Sequence, residues 1–182
     1  MRFPLSWLRE YVDIPREETP ESIGERLEDV LTVGGGVSGP LVVGRVIEIE
    51  ALTEFKKPIR FCQVEVGLEH GHPDTPGIRG IVCGARNFVV GDLVVVALPG
   101  AVLPGDFHIA SRETYGRVSD GMICSERELG LGDDHDGILV LPQGTAGIGT
   151  DAGPVIGLGD AVFDVSVTPD MGFCLSMRGA AR

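Results

Sequence analysis

Leu93-Val94-Val95-Val96-Ala97-Leu98-Pro99-Gly100 holds six apolar residues in a row, closed by a turn dipeptide. So short an unbroken run reads as a β-strand buried on both faces. Outward from it the period of two continues. Phe61-Cys62-Gln63-Val64-Glu65-Val66 places Cys62, Val64 and Val66 on one side. Val46-Ile47-Glu48-Ile49-Glu50 is read with its isoleucines inward and its glutamates outward. Further strands are expected near residues 80–83, 122–124 and 138–141, punctuated by turns such as Pro104-Gly105. Many short strands at regular spacing predict a small barrel, and the 27 glycines and 12 prolines supply its turns.

The ends of the chain read differently. Thr19 suits an N-cap, Pro20 the first helical position and Glu21 the positive end of the dipole. Ile23, Leu27, Val30 and Leu31 then fall at i, i+4, i+7 and i+8, which predicts one helical apolar face. A shorter helix is expected to hold Trp7, Leu8 and Tyr11, and Gly34-Gly35-Gly36 to act as a joint. Beyond Thr150 one more strand is expected over residues 162–167, with Phe163, Val165 and Val167 on one face. Residues 174–182 read as the opening of a helix cut short.

The chain has 182 residues, 43% of them hydrophobic, enough for one ordinary domain or two small ones. No run approaches the roughly 18 apolar residues of a membrane helix. Arg9 and Glu10 stand where a signal peptide would be apolar, so a cytoplasmic location is expected. Cys62, Cys83, Cys124 and Cys174 lack any metal-ligand spacing and read as reduced, mostly buried thiols. The net charge of −12 weighs against a large nucleic-acid footprint. Residues 39–132, however, carry nine of the fifteen cations against twelve acids, so a local basic patch is open to them.

The densest cationic cluster is Lys56-Lys57-Pro58-Ile59-Arg60, flanked by Phe55 and Phe61. Phosphates call for such charge and a neighbouring aromatic can stack a base, although a solvated hairpin loop would have the same composition. In Cys83-Gly84-Ala85-Arg86-Asn87, Asn87 can hold the loop or donate to a phosphate or base, the first being the commoner use. Ser119-Asp120-Gly121-Met122-Ile123-Cys124-Ser125-Glu126 combines hydroxyls, a turn glycine and a methionine. No G-x-S-x-G elbow surrounds Ser125, so a hydrolase nucleophile is set aside and a cap for a helix at residues 126–129 is expected. Asp133-Asp134-His135-Asp136-Gly137 fails the EF-hand test, since its twelfth position is Gly144, and His70-Gly71-His72 is too short for a metal site. No catalytic or metal-binding residue is assigned.

Several of these segments, read in order, resemble the beta subunit of bacterial phenylalanine–tRNA ligase. Phe3-Pro4-Leu5-Ser6-Trp7-Leu8-Arg9-Glu10-Tyr11-Val12 is similar to its opening motif, and Val42-Val43-Gly44-Arg45-Val46 to the first strand of its tRNA-binding OB domain. Residues 81–87 and 91–105 are similar to its central run. Ser119-Asp120-Gly121-Met122-Ile123-Cys124-Ser125-Glu126-Arg127-Glu128-Leu129-Gly130-Leu131-Gly132 matches its most specific signature, and residues 167–170 and 174–176 resemble the stretch after the OB domain. The form of residues 56–60 points to an actinobacterial source.

The resemblance implies a mainly β fold with short helices. An OB-fold tRNA-binding domain, residues 40–151, would be inserted in a small α/β domain made of residues 1–39 and 152–182. It implies a heterotetramer of two alpha and two beta subunits that joins phenylalanine to tRNA(Phe) using ATP and magnesium. Catalysis would lie in the alpha subunit, and editing beyond residue 182. The partners would be tRNA(Phe), the alpha subunit and the second beta subunit. Cofactors would belong to the whole enzyme, and the isolated chain would not catalyse aminoacylation, amino-acid activation or editing. RNA contact is expected at Lys56, Lys57, Arg60 and Arg86, with Asn87, Ser119, Met122 and Ser125 beside it. The alternative is a stand-alone, truncated or paralogous tRNA-binding or protein-interaction module. Two departures from the family pattern lie outside residues 40–151: a shortening between Leu27 and Val30, where the family has a strand, and Asp170-Met171-Gly172 after Thr168-Pro169.

Overall fold

The computed structural model describes residues 2–24, 29–32, 36–55, 59–133, 136–165 and 176–181. The chain divides into two compact units, Met1–Val33 with Gly157–Arg182, and Gly34–Ile156. The second therefore interrupts the first in sequence.

The first unit opens with β1 (Arg2–Pro4), α1 (Leu5–Leu8), α2 (Pro20–Gly24) and β2 (Asp29–Thr32). The second holds β3 (Leu41–Leu52), β4 (Ile59–Glu65), β5 (Ile78–Cys83), β6 (Leu93–Ala97), β7 (Val102–Leu103), β8 (Phe107–His108), β9 (Arg112–Thr114), β10 (Arg117–Ser119), β11 (Met122–Ile123), β12 (Val140–Leu141) and α3 (Ala152–Val155). The first then resumes with β13 (Ala161–Asp164) and α4 (Met177–Ala180). The molecule is thus mainly β with a few short helices.

In the first unit β13 lies between β1 and β2, all antiparallel. Phe3, Leu5, Leu8, Ile23, Ala161 and Phe163 form its core, with the Phe3 and Phe163 rings 5.8 Å apart. Thr19 begins α2 as an N-cap: its Oγ1 accepts from the Ser22 N–H at 3.3 Å. The expected helical face Ile23/Leu27/Val30/Leu31 does not form. α2 is described over Pro20–Gly24, Val30 and Leu31 lie in β2 opposite Phe163 and Val162, and Leu27 lies outside the described residues. Apolar residues at i+7 and i+8 were ambiguous between periods. Val30 and Thr32 are β-branched, with β13 available to pair. Of the strand expected over 162–167, residues 166 and 167 lie outside the described residues.

In the second unit the main sheet runs β11-β6-β3-β4-β5, with β12 also on β6, every pairing antiparallel. β11 also packs against β5, at the far end of that order, so the sheet curls until its ends meet, as in an OB-like barrel. All of Leu93 to Leu98 is buried, because β6 is central and its outer side is covered as well. Cys62, Val64 and Val66 point into the core beside Ile81, Val94, Val96 and Phe88.

Ile47 corrects the reading of β3. It is 39% exposed, whereas the preceding Val46 is fully buried. The register against β4 shifts between Val46 and Glu48, a bulge that inserts Ile47 as an unpaired residue and turns it outward. No helix of the described residues is long and apolar enough to cross a membrane.

Candidate nucleic-acid interface

On β4 and β5 the positions that do not enter the core face outward: Phe61 and Gln63 on one strand, Gly80 and Val82 on the other. Glycine at 80 is a matter of space. A Cβ there would stand 2.5 Å from Cζ of the Phe61 ring, which lies across it. The hairpin β9–β10 packs against β5 and turns through Tyr115 (φ 52°) and Gly116 (φ 69°), the two positive values that a tight type I′ loop requires. At its tip the Tyr115 ring meets Phe55 edge-on at 4.8 Å. Arg117 lies 5.3 Å from the Phe61 ring centre, and its Nη2 donates to both Glu50 carboxylate oxygens at 2.6 and 2.9 Å.

The segment after this hairpin is latched to β5. The Ser119 hydroxyl accepts from the Val82 N–H at 3.0 Å and donates to the Gly121 carbonyl at 3.2 Å. The Asp120 N–H donates to the Gly80 carbonyl at 2.8 Å. The carboxylate of Asp120 is paired with the Arg79 guanidinium, and both side chains are largely buried. Arg79 also donates to the carbonyls of His70 and Gly71, so this one cation ties the 67–77 loop to the segment carrying Ser119 and Met122.

Three clefts of this unit hold residues expected to contact RNA. One of about 390 Å³ is lined by Thr53, Phe55, Ile59, Arg60 and Arg86 among others. Arg60 there donates to the Phe88 carbonyl at 3.1 Å and lies 5.4 Å from that ring's centre, while Arg86 is exposed. A second of about 310 Å³ includes Val82, Phe107, Arg112, Ser119 and Met122. The third, about 660 Å³, shares Val82 and Met122 with it and adds Ala85, Ser125 and Arg127.

Among the residues expected to contact RNA, the structure brings Arg60 and Arg86 to one cleft beside Phe55, and Ser119, Met122 and Ser125 to the two others. Lys56 and Lys57 lie outside the described residues. Asn87 is committed to the fold: its amide donates to the Ile138 carbonyl at 2.8 Å and accepts from the Ile138 N–H at 2.9 Å, as a paired strand would. Gly137 leaves it room, since a Cβ there would lie 2.3 Å from Asn87 Cγ. Ser125 makes a capping box. Its N–H and hydroxyl donate to Glu128 Oε2 at 2.7 and 2.8 Å, and its Oγ accepts from the Glu128 N–H at 3.3 Å. The expected helix at 126–129 is only a run of turns, stopped by Gly130 at φ 68°.

Reading by sequence missed Phe107, Arg112, Tyr115, Arg117 and the Arg79–Asp120 pair. The signal for the hairpin was Thr114-Tyr115-Gly116-Arg117, an aromatic and a glycine between short strands with cations on both sides. Among the described residues no group of three or more His, Cys, Asp or Glu is placed to hold a metal ion. Burial pushes the Cys62 and Cys124 thiols up to about 12 and raises Cys83 as well.

Comparison with known proteins agrees with this geometry. A family model described as a putative tRNA binding domain matches residues 41–151. Over its whole length the chain is 58% identical to the phenylalanine–tRNA ligase beta subunit of Thermobifida fusca and 57% identical to that of Mycolicibacterium paratuberculosis. It spans 22% of the length of each of these relatives. The crystal structure of the CsaA chaperone protein from Picrophilus torridus matches 60% of this chain and 87% of its own, at 15% identity and a TM-score of 0.42, a likeness too distant to carry function.

Proposed function

The chain belongs to the putative tRNA-binding domain family, and from that premise we propose that it serves as the tRNA-binding part of a phenylalanine–tRNA ligase beta subunit. Similarity to such subunits along every part of the chain supports this over a stand-alone module. In this reading residues 40–151 hold tRNA(Phe), and residues 1–39 with 152–182 form the small α/β domain into which they are inserted. The chain works in the cytoplasm within a heterotetramer with the alpha subunit and a second beta subunit. Attachment of phenylalanine, with its ATP and magnesium, belongs to the whole enzyme. This chain's residues bind and orient.

The observation that carries the proposal is the grouping of Arg60, Arg86 and Phe55 at one cleft, and of Met122 with the latched segment 119–121 at another, in the same unit. Cations position phosphates, and an exposed aromatic such as Phe55 accepts a base without reading it. Lys56, Lys57, Arg60 and Arg86 are proposed as the phosphate contacts, with Met122, Ser119, Ser125 and Asn87 beside them, the last three chiefly shaping the surface.

Titrating labelled tRNA(Phe) with the chain at several salt concentrations tests this. We expect weak binding whose log affinity falls against log salt by about 0.7–0.9 per phosphate engaged. Salt-independent binding, or none at low salt, would defeat the proposal.

A further inference from the structure

We propose that the cleft framed by Val82, Phe107, Ile109, Arg112, Ser119 and Met122 receives a single unpaired nucleotide, so that this face takes splayed, single-stranded RNA rather than duplex. The inference rests on the tRNA-binding reading and names the form of RNA that the face accepts.

Four observations converge. The cleft holds about 310 Å³, the low end of the roughly 300–1,000 Å³ typical of small-molecule sites, which suits one base with its ribose. Phe107 is large, apolar and 45% exposed on the two-residue strand β8, so it offers a surface on which a base can stack. Arg112 stands 5.7 Å from the centre of that ring, held by one donated bond from Nη2 to the His108 carbonyl at 3.2 Å. Among the described residues its guanidinium has no carboxylate partner, unlike Arg79 and Arg117. In a strongly acidic chain such a cation beside an exposed ring complements a phosphate or stacks on a base.

The polar groups lining the cleft divide in two. Ser119 spends its hydroxyl on Val82 and Gly121, and His108 faces Asp106 at 3.1 Å. Arg112, Glu113 and Thr114 also line it, so any choice between bases falls to these three side chains. The site is also held in place from behind. The Arg79–Asp120 pair and the Ser119 latch fix the segment that presents Met122, so a bound base does not have to organise the cleft. A base inside a duplex cannot leave its stack to enter so narrow a recess without first being unpaired.

The test compares three probes on the whole chain at low salt by fluorescence anisotropy: tRNA(Phe), a single-stranded hexauridylate and a blunt RNA duplex of matched charge. The hexamer is expected to bind more tightly per phosphate than the duplex. Phe107→Ala should weaken the hexamer by about 5- to 150-fold, the fold change equivalent to 1–3 kcal/mol per stacked base, and Arg112→Ala should weaken it too. Phe107→Trp reads stacking directly, because its emission should be quenched as the hexamer binds, and its bulk guards against a merely unfolded variant. If tRNA(Phe) binds but the hexamer does not, or Phe107→Ala leaves hexamer affinity unchanged and Phe107→Trp shows no quenching, the nucleotide cleft is refuted while the tRNA-binding reading stands. If neither RNA binds, both fail.

Discussion

Replacing Asp120 with alanine strands the Arg79 guanidinium, whose side chain is only 15% exposed, against a partner side chain that was 8% exposed. Breaking a buried pair by removing one partner costs about 3–5 kcal/mol, because the remaining charge stays desolvated. Arg79 keeps its bonds to the carbonyls of His70 and Gly71 and some contact with water, so the low end, about 3 kcal/mol, is expected. For a unit of this size each kcal/mol moves the midpoint by about 4 °C, which places the loss of Tm near 12 °C. Urea unfolding followed by circular dichroism measures it, with an unchanged slope showing that the folded state is otherwise intact. The double variant Arg79→Met/Asp120→Ala removes both charges and should recover much of the loss. A cost below about 1 kcal/mol for Asp120→Ala, or a double variant no more stable than the single one, would refute the reasoning. If Ser119 and Met122 lie at the proposed interface, the consequence should reach binding too, since the same pair holds the segment that carries them.

Lys56→Ala/Lys57→Ala should weaken tRNA binding and flatten its salt slope by about 1.4–1.8, the contribution of two phosphates; unchanged binding would return the lysines to an ordinary solvated loop. Gly137→Ala should displace the Asn87 amide and lower stability by about 1–2 kcal/mol, much as Asn87→Ala does. The two together should cost little more than either alone, and urea midpoints that simply add would contradict the shared bond. Cys62 and Cys124 should resist a thiol reagent at pH 8 until the chain unfolds. Their folded values near 12 stand above the ordinary 9.0, so burial of the neutral thiol is no handicap below about pH 9. Stability should then fall between pH 9 and 12, as only the unfolded chain ionises its thiols, and a flat denaturation midpoint across that window would count against it.

Where one physical term dominated, the sequence could be read directly. Leu93 to Leu98 admits a single interpretation because six apolar side chains in a row need burial on both faces, and Cys62, Val64 and Val66 follow the pleat. Local alternation failed at Ile47, since a bulge is a property of the pairing with β4 and leaves no mark in the strand's own pattern. It failed again at Val30 and Leu31, where a helical spacing over few residues gave way to a partner strand about 130 residues away. At the proposed interface, residues 56–60 read as a cationic cluster beside Phe55 and Phe61, and the structure groups Arg60 with Arg86 and Phe55 at one cleft. The capping chemistry of Ser125 was legible as well, though not that Gly130 would stop the turn before it became a helix. Phe107, Arg112 and the Arg79–Asp120 pair were not, because each acquires meaning from a tertiary neighbour.

Backbone amide shifts of the ¹⁵N-labelled chain, followed during titration with tRNA(Phe) at low salt, test the central claim most directly. The account predicts perturbations grouped at Arg60, Arg86, Phe107, Arg112 and Met122, with residues 2–24 and 161–164 unmoved. Perturbations confined to those latter residues, or none anywhere as tRNA reaches saturating concentrations, would contradict it.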